Sequence, residues 1–135
     1  MRVYPLFKAD GADEIQVICE IHVICGKIRV MNVTNIAKAR KWFEVLQTSE
    51  RSQTAMMTLA PGDATGARAE AHEKSDQILL MLDGELSGEV GDQHPNLKKG
   101  DVIIIPAGVK HRFLNDAAKP AVTFNVYSPP AYPGD

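Results

Sequence analysis

The sequence predicts an all-β domain, a sandwich or barrel of short strands, on three observations. After Ser52, β-rich runs of four to seven residues follow one another down the chain. Gly, Pro and Asp turn signals punctuate them at near-regular spacing. No stretch of that region keeps the 3.6-residue apolar period of a helix.

The elements follow in order. Glu14 to Val33 reads as two strands joined at Gly26-Lys27, with Ile15, Val17, Cys19, Ile21, Val23 and Cys25 on one alternating face. Asn32 to Lys41 has room for one or two helical turns, with Thr34 or Asn35 as N-cap. Residues 1–40 are therefore expected to form a β extension with a short helical turn, and residues 41–135 the barrel. Met31 is also a plausible start for a smaller chain, which would make residues 1–30 an upstream extension of the reading frame.

The barrel runs are Gln53 to Leu59, Ala67 to His72, Gln77 to Leu82, Glu85 to Val90, Val102 to Ile105, His111 to Leu114 and Ala121 to Tyr127. Asp83-Gly84 between two runs predicts a hairpin, because Gly tolerates the positive φ of a tight turn. Val102 to Ile105 is apolar at every position, as a strand buried on both faces requires. The Pro-rich stretch from Pro129 to Pro133 suits an extended tail across the surface, with Tyr127 and Tyr132 packing against the barrel end or closing the mouth of the pocket.

Bulk properties narrow the function. With 15 basic and 17 acidic residues the net charge is −2, which leaves no electrostatic footprint for nucleic acid. No run approaches the ~18 apolar residues of a membrane helix, and the N-terminus lacks a signal-peptide pattern, so the chain reads as cytoplasmic. On one extended strand, Cys19 and Cys25 would lie about 20 Å apart, too far to bridge. They read as small buried hydrophobes in a reducing compartment.

The densest signal is Gly100, Pro106, Gly108, His111 and Asn115, spaced Gly-x5-Pro-x-Gly-x2-His-x3-Asn. Gly108 permits a chain reversal that aims His111 inward. This pattern resembles the second motif of the cupin superfamily in every fixed position. The first cupin motif, Gly-x5-His-x-His-x3-4-Glu-x6-Gly, has a partial counterpart in Glu70, His72, Gln77 and Gly84. Glu70 stands where the first His is expected and Gln77 where the Glu is expected, and Gly62 lies eight residues before Glu70 rather than six. The resemblance implies a double-stranded β-helix, or jelly-roll, and its usual metal.

Strand alternation builds the site. Arg68, Glu70 and His72 share a face, and if Gln77 and His111 point inward, so do Leu79, Met81, Phe113 and Asn115. Asp76 would replace Gln77 on a one-residue shift. The expected interior holds Glu70, His72, Gln77, His111 and Arg68, walled by Leu79, Met81 and Phe113, which is the form of a small-molecule site. Two His and one carboxylate also make the donor set of non-haem Fe(II) sites, and the hard Glu70 oxygen favours Mn, Fe or Zn.

The expected function is a small cupin that binds a divalent metal through Glu70, His72, Gln77 and His111 and binds or acts on a small organic molecule. A catalytic version would be a metal-dependent oxygenase or isomerase. The alternative is a metal-free module for a sugar or carboxylate, in which Arg68 pairs with Glu70. His22 and His94 read as surface residues. The apolar N-terminal strands predict a homodimer, with Ile15, Val17, Ile21 and Val23 buried against the barrel or the partner.

Overall fold

Short β-branched and aromatic runs between glycine corners build two antiparallel sheets. The computed structural model describes residues 31–133, and the elements below belong to the unit that begins at Thr34. The expectations for Glu14 to Val30, including both cysteines, His22 and the dimer-forming strands, lie outside the described residues. Between Asn32 and Lys41 the chain makes a single 3-10 turn, Ile36–Lys38. Asn35 caps it, its side-chain oxygen accepting from the Ala37 N–H at 2.8 Å.

Eight strands follow: β1 Phe43–Thr48, β2 Gln53–Leu59, β3 Asp76–Asp83, β4 Glu85–Val90, β5 Asn96–Lys98, β6 Val102–Ile105, β7 His111–Leu114 and β8 Ala121–Ser128. They form a five-stranded sheet in the order β1-β2-β8-β3-β6 and a three-stranded sheet in the order β5-β4-β7. Met57, Leu59, Leu79 and Met81 of the first sheet and Leu86, Leu97 and Phe113 of the second belong to one apolar cluster. Each such side chain contributes about 1.5–3 kcal/mol by leaving water.

Three expectations change. Ala67 to His72 is not a strand; the chain from Ala64 to Glu70 meets β7 only at isolated bridges, Ala64 opposite Leu114 and Glu70 opposite His111. Between them the Arg112 side chain, not a backbone N–H, donates to the Gly66 carbonyl at 2.7 Å. Strand β6 is an outer strand with one exposed face: Ile105 is 1% exposed, but Val102 and Ile104 are 63% and 60% exposed. β-branched residues suit an edge as well as a centre, so the run alone cannot tell them apart.

The third change is at Asp83-Gly84. It is no hairpin, because β3 and β4 lie in different sheets. It is a corner where the chain passes from one sheet to the other, and Gly84 takes φ +81° there. A Cβ on Gly84 would sit 2.4 Å from the Pro120 carbonyl oxygen and 2.8 Å from the Ala121 Cα.

That crowding yields a prediction. Gly84→Ala should destabilise the protein by about 3 kcal/mol, combining left-handed strain with a backbone clash. Gly62→Ala provides the control, since Gly62 has φ +90° and open space around it, and should cost only about 1–2 kcal/mol. Denaturant unfolding of the two variants checks this; equal losses would contradict the close approach at Gly84.

Candidate functional site

The site grows from one cross-strand row. Tyr127 on β8 pairs with Gln53 on β2 and with Gln77 on β3, and Gln77 pairs with Ile105 on β6. All four are buried. Opposed residues of an antiparallel pair share a face, so this row places two carboxamides beside a phenol. Gln77 and Tyr127 form part of the wall of a cavity of about 390 Å³, a volume suited to a small molecule.

Arg68, Glu70, His72, Gln77 and His111 all line this cavity. Phe113 does too, whereas Leu79 and Met81 belong to the apolar core instead. Phe43, Tyr127 and Tyr132 make the remaining wall largely aromatic. Asp76 is exposed and does not point in; its carboxylate accepts from the Ala107 N–H at 2.9 Å. That bond, with Gly108 N–H donating to the His72 carbonyl at 2.8 Å, ties the Pro106–Gly108 corner to the His72 segment. Gly108 reverses the chain at φ +85°, and His111 follows.

The two imidazoles meet, with ring centroids 5.3 Å apart. His111 Nδ1 lies 2.9 Å from the Val109 carbonyl oxygen. In the neutral ring this puts the proton on Nδ1 and leaves the lone pair on Nε2. Burial, and secondarily the charge of His111, lower the pKa of His72, which favours its neutral, lone-pair form. Its ring packs edge-on against Tyr127 at 5.1 Å and Tyr132 at 5.5 Å. Burial raises the pKa of both phenols.

Glu70 is exposed at the rim. Its backbone exchanges two hydrogen bonds with His111, at 3.1 and 2.9 Å. Among the described residues no ion pair joins Arg68 to Glu70, and no three His, Cys, Asp or Glu side chains gather closely enough to hold a metal. His94 is exposed.

Other site residues escaped the sequence reading. Gln77 Nε2 donates to Asn125 Oδ1 at 2.9 Å, Asn125 Nδ2 to Thr123 Oγ1 at 2.9 Å, and Thr123 Oγ1 to the Met57 carbonyl at 3.0 Å. Gln77 Oε1 is buried with no hydrogen-bond partner among the described residues. Gln53 is the second omission. Its oxygen accepts from the Ala131 and Tyr132 N–H groups at 3.1 and 3.0 Å, and its amide donates to the Tyr132 carbonyl at 2.9 Å. The tail is therefore clamped, and Tyr132 lies 4.8 Å from Phe43 and 5.2 Å from Tyr127, ring to ring. A signal existed in the alternation Ala121, Thr123, Asn125, Tyr127, which puts polar residues on an inward face.

His72 and His111 are donors of the kind the divalent ion implied by the motif resemblance takes, while no third His, Cys, Asp or Glu side chain gathers with them among the described residues. His111 has its second nitrogen engaged by a backbone carbonyl, as metal-ligating histidines do. His72 favours its neutral form, and the buried Gln77 oxygen lacks a donor among the described residues. Glu70 on the same wall is the one carboxylate of the expected set.

Comparison with known proteins agrees with this architecture. The cupin domain family matches residues 55–127. The chain is 28% identical over 111 residues to the uncharacterized protein YrkC of Bacillus subtilis, covering 77% of this chain and 59% of YrkC. It is 34% identical over 82 residues to the auxin-binding protein ABP19b of Prunus persica, covering 57% of this chain and 38% of that protein. The chain thus spans less than two thirds of either relative. The crystal structure of BH2720 from Bacillus halodurans superposes with a TM-score of 0.69 at 26% identity, covering 76% of this chain and 83% of that one. The chain belongs to the cupin family.

The Gln53 clamp is testable by itself. Gln53→Leu should release the tail, so that the Ala131 and Tyr132 amides exchange with solvent far faster than in the wild type. Leaving those backbone groups unpaired should also cost about 1–3 kcal/mol of stability. Amide exchange measured by NMR checks it, and unchanged protection of both amides would contradict the clamp.

Proposed function

We propose that this cupin binds a single divalent metal ion, Fe, Mn or Zn, through His72 and His111, and uses the cavity to hold a small organic molecule. Glu70 is the charged third ligand, and Gln77 stands beside the ion as a neutral oxygen. The observation that carries the reading is the His111 ring, its Nδ1 engaged by the Val109 carbonyl and its centroid 5.3 Å from that of His72. A bound divalent ion would supply Lewis-acid polarisation of a carboxylate or hydroxyl. The chain's own residues do the rest: the aromatic wall excludes water and holds apolar surface, and Arg68 at the rim attracts an anionic group. The likeness to ABP19b, a protein named for binding auxin, supports a small organic ligand. The cytoplasmic location and the homodimer remain part of the reading on sequence grounds alone.

One observation favours a second reading, a metal-free binding module. The only carboxylate of the set is exposed, and no three-member cluster of His, Cys, Asp or Glu forms among the described residues. Elemental analysis of freshly purified protein separates the two. The metal reading predicts about one divalent ion per chain, lost from His111→Ala, with affinity lowered at least as much by Glu70→Ala as by Gln77→Ala. A charged oxygen holds a cation more strongly than an amide does. Equal metal content in wild type and His111→Ala, or none in either, would leave the metal-free module.

A further inference from the structure

We infer that Gln77 is a fixed hydrogen-bond acceptor that selects ligands carrying a hydroxyl or N–H donor. This rests on the reading of the cavity as a small-molecule site, but not on the metal. A carboxamide can ordinarily turn over and offer either its oxygen or its N–H group. Gln77 cannot do so at no loss, because its orientation is set two residues away. The Thr123 hydroxyl has one proton and gives it to the Met57 carbonyl, which can only accept. Thr123 Oγ1 must then receive the Asn125 Nδ2–H. That turns Asn125 Oδ1 toward Gln77, which must answer with its Nε2–H.

The polarity of the whole relay therefore runs from one backbone carbonyl to the cavity wall and leaves Gln77 Oε1 over. Among the described residues no donor reaches that oxygen, and Gln77 is 3% exposed. A buried acceptor without a partner is unfavourable, so a ligand whose donor reaches Oε1 gains a hydrogen bond that a ligand without a donor cannot make. Thr123 and Asn125 are 0% exposed and do not line the cavity. They are positioning residues that act through Gln77.

A matched pair of aromatic probes tests this, because phenol and anisole differ in whether the oxygen carries a proton. Both suit a cavity walled by aromatic rings. Binding is followed by NMR titration of the full chain at millimolar probe, with metal content recorded on the same samples. Wild type should bind phenol about tenfold tighter than anisole. In Thr123→Val, an isosteric change that removes the anchoring hydroxyl, the amide can turn and donate to the ether, so the preference should fall to within about threefold. Gln77→Met should lose the preference as well.

Equal binding of the two probes by wild type overturns the inference, as does binding of neither. A full preference persisting in folded Thr123→Val or Gln77→Met also overturns it. If Thr123→Val does not fold, wild type and Gln77→Met decide. A preference for phenol in metal-free protein supports the inference while defeating the metal reading. Metal bound with no preference does the reverse.

Discussion

The row of Gln53, Gln77 and Tyr127 on which this site is built depends on the register of β8 between β2 and β3. Tyr127 lies opposite Gln53 on one side and Gln77 on the other. A slip of one residue in either pairing would turn a whole strand's inward row to the outside. That row holds Ala121, Thr123, Asn125 and Tyr127, all buried. It is apolar where it meets the core and polar where it approaches the cavity. The same strand pairing that buries the core thereby builds the relay behind Gln77 and the phenol beside His72.

Two other parts of the chain are brought to this row by hydrogen bonds, not by a shared strand. The Pro106–Gly108 corner is held by the Asp76 carboxylate and the His72 carbonyl, so the two imidazole-bearing segments are tied by backbone as well as by ring contact. The tail is held by Gln53, whose carboxamide is 1% exposed. Buried amides are costly unless paired, and Gln53 and Asn125 are paired at both their nitrogen and their oxygen. Gln77 is the exception. Its oxygen has no donor among the described residues.

Much of this was legible in the sequence, and the limits have physical causes. The spacing of Gly100, Pro106, Gly108, His111 and Asn115 located the corner and the inward His111, because turn chemistry is local. Alternation placed Gln77, Phe113 and Asn115 inward correctly, since strand side chains have a strict period of two. Asp83-Gly84 misled because a positive-φ glycine serves a sheet-to-sheet corner as well as a hairpin, and only the Pro120 carbonyl across the gap decides. Val102 to Ile105 misled because β-branched runs do not reveal how many neighbours a strand has. The clamp on the tail was not legible because its partner, Gln53, lies 79 residues away from Tyr132.

The metal between the imidazoles is the central claim, and anomalous diffraction from crystals grown with Mn²⁺ addresses it most directly. The account predicts a single strong anomalous peak within bonding distance of nitrogens from both His72 and His111, with the Gln77 amide nitrogen still directed at Asn125. A peak held by surface carboxylates alone, or no peak in this cavity, would contradict it.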